Sequence, residues 1–202
     1  CLGMAELINK ESDLVVCASE SNASDAWEEI KKHKPDLVIV DISLKESNGI
    51  DLVEEIKQEY PDLPALVLSM YDESLYAERA LISGARGYIM KQKAIEQVVE
   101  ALRKVLAGDV YASRKIKDKV LNRLVSSGKH DDKTSLDKLT NRELEVFRLI
   151  GDGFESKEIA KRLNLSIKTV GTHRENIKEK FNLKHYTELV KFAVHWSQKI
   201  KK

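Results

Sequence analysis

The sequence predicts two domains of different fold class: an α/β domain with a doubly wound parallel sheet, then an all-α domain of four helices. Three observations predict this division. Short β-branched runs alternate with amphipathic stretches in the first half, as in βαβ units. From Leu136 onward the apolar residues recur only at helical spacing. The length of 202 residues also exceeds that of one average domain.

In the first half, four candidate strands alternate with four candidate helices. The strand candidates are apolar throughout, which predicts burial on both faces of a parallel sheet. They are Leu14–Ser19, Leu37–Ile42, Ala65–Met70 and Gly87–Lys91. Amphipathic periodicity predicts the helices Ser24–His33, Gly49–Tyr60, Glu73–Ser83 and Ala94–Ala107. The stretch Leu2–Lys10 resembles the end of a further helix, so we expect the first strand of the sheet to be absent from this chain.

The two halves are joined by a basic segment. Residues 113–125 predict a linker helix, and residues 126–133 lack apolar periodicity, which indicates a flexible tether. We therefore expect a first domain at 1–110, a linker at 111–135 and a second domain at 136–202.

The second domain carries helix-start signals at regular intervals. Thr140 and Glu143 have the spacing of a capping box. The first and last predicted helices are Asn141–Gly151 and Thr187–Ile200. Between them, we expect a short helix that Ser156 caps and that ends at Leu163, and a longer helix that Ser166 caps and that ends at Phe181.

The charge is divided between the halves. Residues 1–112 carry 12 Lys/Arg and 21 Asp/Glu, a net charge of −9, whereas residues 113–202 carry 22 and 12, a net charge of +10. This asymmetry predicts that the second half binds a polyanion and the first does not. The sequence shows no membrane-spanning run and no export signal, so we expect a cytoplasmic protein without membrane contact. Cys17 lies in an apolar run and is expected to be buried.

Polar residues follow three successive strands of the predicted sheet. They are Asp41, Ser69 and Lys91, a carboxylate, a hydroxyl and an amine. Because ligands of open parallel sheets bind at the carboxyl ends of the strands, these side chains are expected to converge. Any one of them alone could simply be solvated at that edge.

Together, at these spacings, the three residues resemble the receiver domain of two-component response regulators over about residues 1–110. The resemblance implies that Asp41 accepts a phosphoryl group as a carboxylate nucleophile, and that Ser69 and Lys91 contact its oxygens. Tyr88 stands where receivers carry an aromatic switch residue, although an ordinary strand aromatic is equally compatible with the pattern. The resemblance also implies a Mg²⁺ ion bound by Asp41 and by the backbone carbonyl of Ser43.

The chain departs from this family in one respect. Receivers also bind Mg²⁺ through an acidic pair that ends their first strand, and nothing upstream of Asp41 matches that pair. Because the chain begins Cys-Leu-Gly-Met, we expect the natural protein to have further N-terminal residues, and the 202-residue chain by itself to bind Mg²⁺ and accept phosphate poorly. The alternative is a phosphorylation-independent regulator with a degenerate receiver.

The second half contains two helix patterns separated by a short turn. Ser156–Leu163 and Ile167–Phe181 flank the turn Asn164-Leu165-Ser166. Val170 and Ile177 are spaced to face a core, which leaves a polar and basic outer face on the second helix. This is the arrangement that places a recognition helix in the major groove of DNA.

The runs Leu139–Val146, Ser156–Ala160 and Lys168–His173 resemble the LuxR-type helix-turn-helix. With the receiver, they identify the chain as a member of the NarL/FixJ-type response regulators. The resemblance implies DNA contacts by Lys157, Lys168, Thr169, Thr172, Arg174, Glu175 and Lys178. Of these, Thr172, Arg174 and Glu175 would approach base edges. The lysines would contact phosphates. Some relatives carry lysine where this chain has Gly171, which leaves the operator preference open.

The expected function is regulation of transcription through double-stranded DNA, controlled by a partner histidine kinase that phosphorylates Asp41. We expect a homodimer, at least on DNA, because one such module reads only a short half-site. An enzyme is not expected: the chain lacks the GxGxxG, P-loop and GxSxG motifs that would favour a flavodoxin-like enzyme or nucleotide binder. A LuxR-type sensor of a diffusible ligand would need an apolar pocket domain in place of the strand-end residues.

Overall fold

The computed structural model describes residues 2–44, 47–125 and 135–200, which belong to two compact units, Cys1–Lys129 and His130–Lys202. The expected tether, residues 126–133, lies outside the described residues. Among the described residues, no helix combines the length and apolar character needed to cross a bilayer.

The first unit is built on a parallel sheet. Its strands are β1 (Val38–Asp41), β2 (Ala65–Ser69) and β3 (Gly87–Met90), hydrogen-bonded in the order β1-β2-β3. The helices are α1 (Leu2–Ile8), α2 (Ala23–His33), α3 (Gly49–Glu59), α4 (Glu73–Ile82) and α5 (Lys91–Leu106). Leu66 and Leu68 of the central strand pack with Val98 and Leu102 of α5 in one buried cluster. All residues of β2 are buried, as expected for a strand covered on both faces.

One predicted strand is absent. Residues 14–19 have no strand assignment, and no strand in the described part of the chain pairs with them. Apolar residues favour an extended backbone, but a strand also needs a neighbour for its N–H and C=O groups. The expectation that Cys17 is buried is also wrong, because its side chain is exposed.

The expected linker helix is α6 (Arg114–Val125), and it packs on α4 within the first unit. Ile116 on its inner face is buried. Glu78 of α4 pairs with the Nζ of Lys119 at 2.5 Å and with a guanidinium nitrogen of Arg123 at 3.0 Å. Burial alone would raise the pKa of Glu78, but the hydrogen bonds from these two cations lower it below its ordinary value. Helix α6 is therefore anchored to α4 by ion pairs as well as by apolar contact.

The second unit is helical. A 3₁₀ turn (Ser135–Lys138) precedes α7 (Asn141–Gly151), α8 (Ser156–Leu163), α9 (Ile167–Lys180) and α10 (Tyr186–Ile200). The Thr140 capping box is confirmed, since the Thr140 hydroxyl accepts from the Glu143 N–H and the Glu143 carboxylate accepts from the Thr140 N–H. Phe147 of α7 centres the core, where its ring contacts three other aromatic rings, those of Phe181, Phe192 and Trp196.

The start of α8 differs from the prediction by one residue. Glu155, not Ser156, occupies the cap position, and its N–H donates to the Glu158 carboxylate at 3.0 Å. Ser156 is the first helical residue, so its hydroxyl is left for another partner.

Candidate functional site

The parallel register brings strand-end residues to one edge of the first unit. Asp41 ends β1 and is in register with Leu68, and Ser69 ends β2 and is in register with Met90, the residue before Lys91. The Nζ of Lys91 contacts the Oδ2 of Asp41 directly, and each of these two side chains is 33 % exposed. The edge therefore presents a solvent-accessible carboxylate beside an ammonium group, a pair that can receive and neutralise an anionic group.

The other carboxylate oxygen of Asp41 is held by its own loop. The Ser43 N–H donates to Asp41 Oδ1 at 3.2 Å. The loop then returns to the strand, where the Gly49 N–H donates to the Ile42 carbonyl at 2.8 Å. A Cβ atom on Gly49 would lie 2.0 Å from the carbonyl oxygen of Asp41. Only glycine allows α3 to begin this close to Asp41.

Ser69 and Tyr88 hold the same backbone segment. The Tyr71 N–H donates to Ser69 Oγ at 3.0 Å, and the Tyr88 hydroxyl donates to the Tyr71 carbonyl at 2.9 Å. Burial raises the pKa of Tyr88, which keeps this hydroxyl protonated and able to donate. Ser69 is buried, and its hydroxyl is engaged by the Tyr71 N–H.

Sequence reasoning missed Tyr71. Its ring stacks on Tyr76 in the first turns of α4, with centroids 4.9 Å apart. Its hydroxyl lies 3.2 Å from Ser43 Oγ, in the loop that follows Asp41. Tyr71 therefore connects the Asp41 loop, the Ser69–Tyr88 pair and α4. The only sequence signal for this role was an aromatic residue two positions after Ser69.

The expected Mg²⁺ site is incomplete in the described residues. They contain no group of three or more His, Cys, Asp or Glu side chains that could hold a metal ion. Asp41 and the Ser43 carbonyl are the two groups expected to bind the ion, and one carboxylate oxygen of Asp41 already contacts Lys91. Mg²⁺ keeps several water ligands and is commonly bound through one or two carboxylates, so Asp41 and the Ser43 carbonyl fit it as a partial set of ligands.

In the second unit, α9 presents a polar outer face. Lys168, Thr172 and Glu175 are exposed and separated by four and three residues, which places them on the same side of the helix. Val170 and Ile177 are fully buried on the opposite side. The turn before α9 is closed by Ser166, whose hydroxyl accepts from the Thr169 N–H at 3.0 Å.

The remaining candidate DNA contacts are placed less uniformly. Lys157 is exposed near the start of α8. The Thr169 hydroxyl is within 2.8 Å of Ser166 Oγ. The Lys178 side chain is 16 % exposed, and its Nζ pairs with Glu175 at 2.7 Å. Arg174 is half-buried and engaged with α8 and α10, and the structure does not bring it to the outer face.

Two neighbouring residues shape the electrostatics and position of α9. His173 is half-buried, and the loss of solvation lowers its pKa, so it adds no charge at neutral pH.

Arg142, which sequence reasoning did not single out, donates to the buried Glu145 at 2.8 Å and to the Leu163 carbonyl at 2.6 Å. Arg142 therefore ties α7 to the end of α8, immediately before the turn.

Comparisons with known proteins agree with this division. Residues 1–103 match the family model described as response regulator receiver domain, and residues 137–193 match that described as bacterial regulatory proteins, luxR family. The oxygen regulatory protein NreC of Staphylococcus carnosus is 35% identical over 196 residues, covering 95% of this chain and 90% of that protein.

Solved structures of RcsB are similar along most of the chain. RcsB of Salmonella enterica serovar Typhimurium, bound to a promoter in the presence of the phosphomimetic BeF3⁻, is 26% identical with a TM-score of 0.58, covering 95% of this chain and 91% of that one. A structure of two RcsB dimers bound to two parallel DNAs is 25% identical with a TM-score of 0.53, and covers 95% and 90%.

The geometry at Gly49 predicts a strong effect of one methyl group. We expect Gly49→Ala to lower the free energy of unfolding by about 3 kcal/mol or more, because the new Cβ would overlap the Asp41 carbonyl. Gly171→Ala is the matched control, since a Cβ there meets nothing within 4 Å. It should raise helix stability by up to about 1 kcal/mol. Urea unfolding of both variants measures the two effects, and equal stabilities would contradict the packing at Gly49.

Proposed function

Because the chain belongs to the two-component response regulators that join a receiver domain to a LuxR-type DNA-binding domain, we propose that phosphorylation of Asp41 by a partner histidine kinase controls DNA binding through α9. The protein is a DNA-binding transcription regulator of a two-component system. The contact between Lys91 and Asp41 at an accessible sheet edge is the observation that carries the proposal.

In the transfer step, a carboxylate oxygen of Asp41 attacks phosphorus and forms a new O–P bond. The P–N bond to the kinase histidine breaks at the same time, and the imidazole keeps the electron pair and takes up a proton. Lys91 Nζ already touches the attacking group, so it is placed to balance the added charge of about −1.5 to −2. Mg²⁺ remains an expectation, and Asp41 and the Ser43 carbonyl are the two ligands that the described residues offer it.

The phosphoryl oxygens provide a new partner for Ser69. Turning toward them would take the Ser69 hydroxyl away from the Tyr71 N–H, which removes one hydrogen bond that holds that segment. Because the Tyr71 ring stacks on Tyr76, a shift of Tyr71 reaches the start of α4. Tyr88 then follows as the switch residue, since its hydroxyl is bonded to the same Tyr71 backbone.

On the DNA side, the outer face of α9 enters the major groove. Thr172 and Glu175 face the base edges, where a carboxylate can accept from the amino group of cytosine. Lys168 and Lys157 reach phosphates, and Lys178 joins them by exchanging its Glu175 partner for the backbone. Thr169 supports the start of the helix through Ser166. The dimers seen for RcsB on DNA support a homodimer here. A cytoplasmic location is part of the proposal, because the DNA that the protein would bind lies in the cytoplasm.

Phosphorylation of Asp41 is tested on the protein from its host cell by phosphate-affinity gel electrophoresis. The wild-type protein of the host cell should give a retarded band that is lost on heating, because acyl phosphates hydrolyse, and Asp41→Asn should give none. Asp51→Asn, which removes an exposed carboxylate in the first turn of α3, should keep the band. A retarded band in Asp41→Asn would refute the assignment, and no band in any of the three proteins would favour the phosphorylation-independent alternative.

The DNA interface is tested by the salt dependence of binding. Lys168→Ala should lower the slope of log affinity against log salt by about 1, because one phosphate contact is lost. Gly171→Lys should raise the slope by a similar amount, since its Cβ position is open and lies beside this face. Lys31→Ala, which removes an exposed lysine of the first unit, serves as control. Fluorescence anisotropy with duplex DNA gives all four slopes, and identical slopes would exclude this face of α9.

A further inference from the structure

Arg174 lies at a point where three helices meet. It projects from the middle of α9, and one of its terminal nitrogens donates to the Oγ of Ser156, the first residue of α8, at 2.6 Å. Its guanidinium carbon lies 3.5 Å from the ring centroid of Tyr186, the first residue of α10. One side chain thus contacts the starts of both neighbouring helices.

These contacts conflict with a direct role at the bases. Bidentate pairing with guanine uses two nitrogens of the guanidinium fork in one plane with the base. In this structure one nitrogen is bonded to Ser156 and the face of the fork covers Tyr186. Reaching a base would break both the charged hydrogen bond to Ser156 and the cation–π contact with Tyr186. A single bidentate base contact would therefore have to replace two existing contacts, and the observed position of Arg174 does not favour base reading.

The position of Arg174 on α9 agrees with this. The exposed residues Lys168, Thr172 and Glu175 define the outer face, and Arg174 is half-buried on the flank of the helix. Its Nε is buried and has no hydrogen-bond partner in the described part of the chain. Among the described residues no carboxylate pairs with Arg174, so its position is set by the hydrogen bond and the stacked fork, which together define a direction and a plane.

We propose that Arg174 is a positioning residue that fixes the rotation and tilt of the recognition helix by clamping α9 to Ser156 and Tyr186. The inference rests on DNA recognition by the outer face of α9. Loss of the clamp lets α9 shift, so every base contact weakens together, while the phosphate contacts of flexible lysines persist. A base-reading arginine would instead determine the preference at one base pair.

The test uses the full chain and a duplex selected by the wild-type protein from a random library. Arg174→Ala and Tyr186→Leu should each weaken binding to this duplex about tenfold, and the double variant should be no weaker than either, because both remove the same clamp. Binding to a random duplex and its salt slope should be unchanged. Arg174→Lys should behave as Arg174→Ala, since lysine keeps the charge but lacks the fork.

Repeating the selection with Arg174→Ala provides the decisive readout. The clamp predicts preference weakened at every position of the half-site, measured at a temperature where circular dichroism shows the variant folded. Preference lost at a single base pair, additive losses with Tyr186→Leu, or full binding by Arg174→Lys would each overturn the proposal. A merely structural role would lower affinity for both duplexes in proportion, which also overturns it. The loss of affinity caused by Lys168→Ala should be additive with the loss caused by Tyr186→Leu. This variant tests the proposed DNA interface separately from the clamp.

Discussion

The parallel register of β1, β2 and β3 is the constraint on which the first unit depends. Successive parallel strands end at the same edge, so residues 50 positions apart in sequence, such as Asp41 and Lys91, come into contact. The same register places Ser69 beside the start of the segment that leads into α4. A slip of one residue would turn each of these side chains to the other face of the sheet. The contacts among these side chains therefore depend on the strand pairing as well as on the residue types.

From that edge, a chain of contacts leads outward. Tyr71 touches the Asp41 loop through Ser43 and the first turns of α4 through Tyr76. Helix α4 in turn carries Glu78, which binds two cations of α6. Helix α6 is the last described element before the second unit. These contacts form a continuous physical path from the Asp41 edge of the sheet to the segment that precedes the DNA-binding domain.

Much of the fold followed from the sequence because its signals are local. Helix starts at Thr140 and Ser166 depend on one side chain and a nearby N–H, and both are present as expected. Residues 14–19 show the limit of local signals, since a strand needs a partner that composition does not reveal. The same limit applies to Glu145 and Arg142, which look like surface charges in sequence but pair with each other, with Glu145 fully buried. Arg174 is a similar case, because its partners Ser156 and Tyr186 are brought to it only by the packing of α8 and α10.

The central claim is that the state of Asp41 controls the occupancy of DNA by α9. In-cell footprinting of the bound DNA tests it most directly, comparing the wild-type protein with Asp41→Asn under conditions that do and do not give the phosphorylated form. We predict that occupancy changes with phosphorylation in the wild type and stays constant in Asp41→Asn. The same change in both proteins would contradict the claim, as would constant occupancy in a wild-type protein that is phosphorylated.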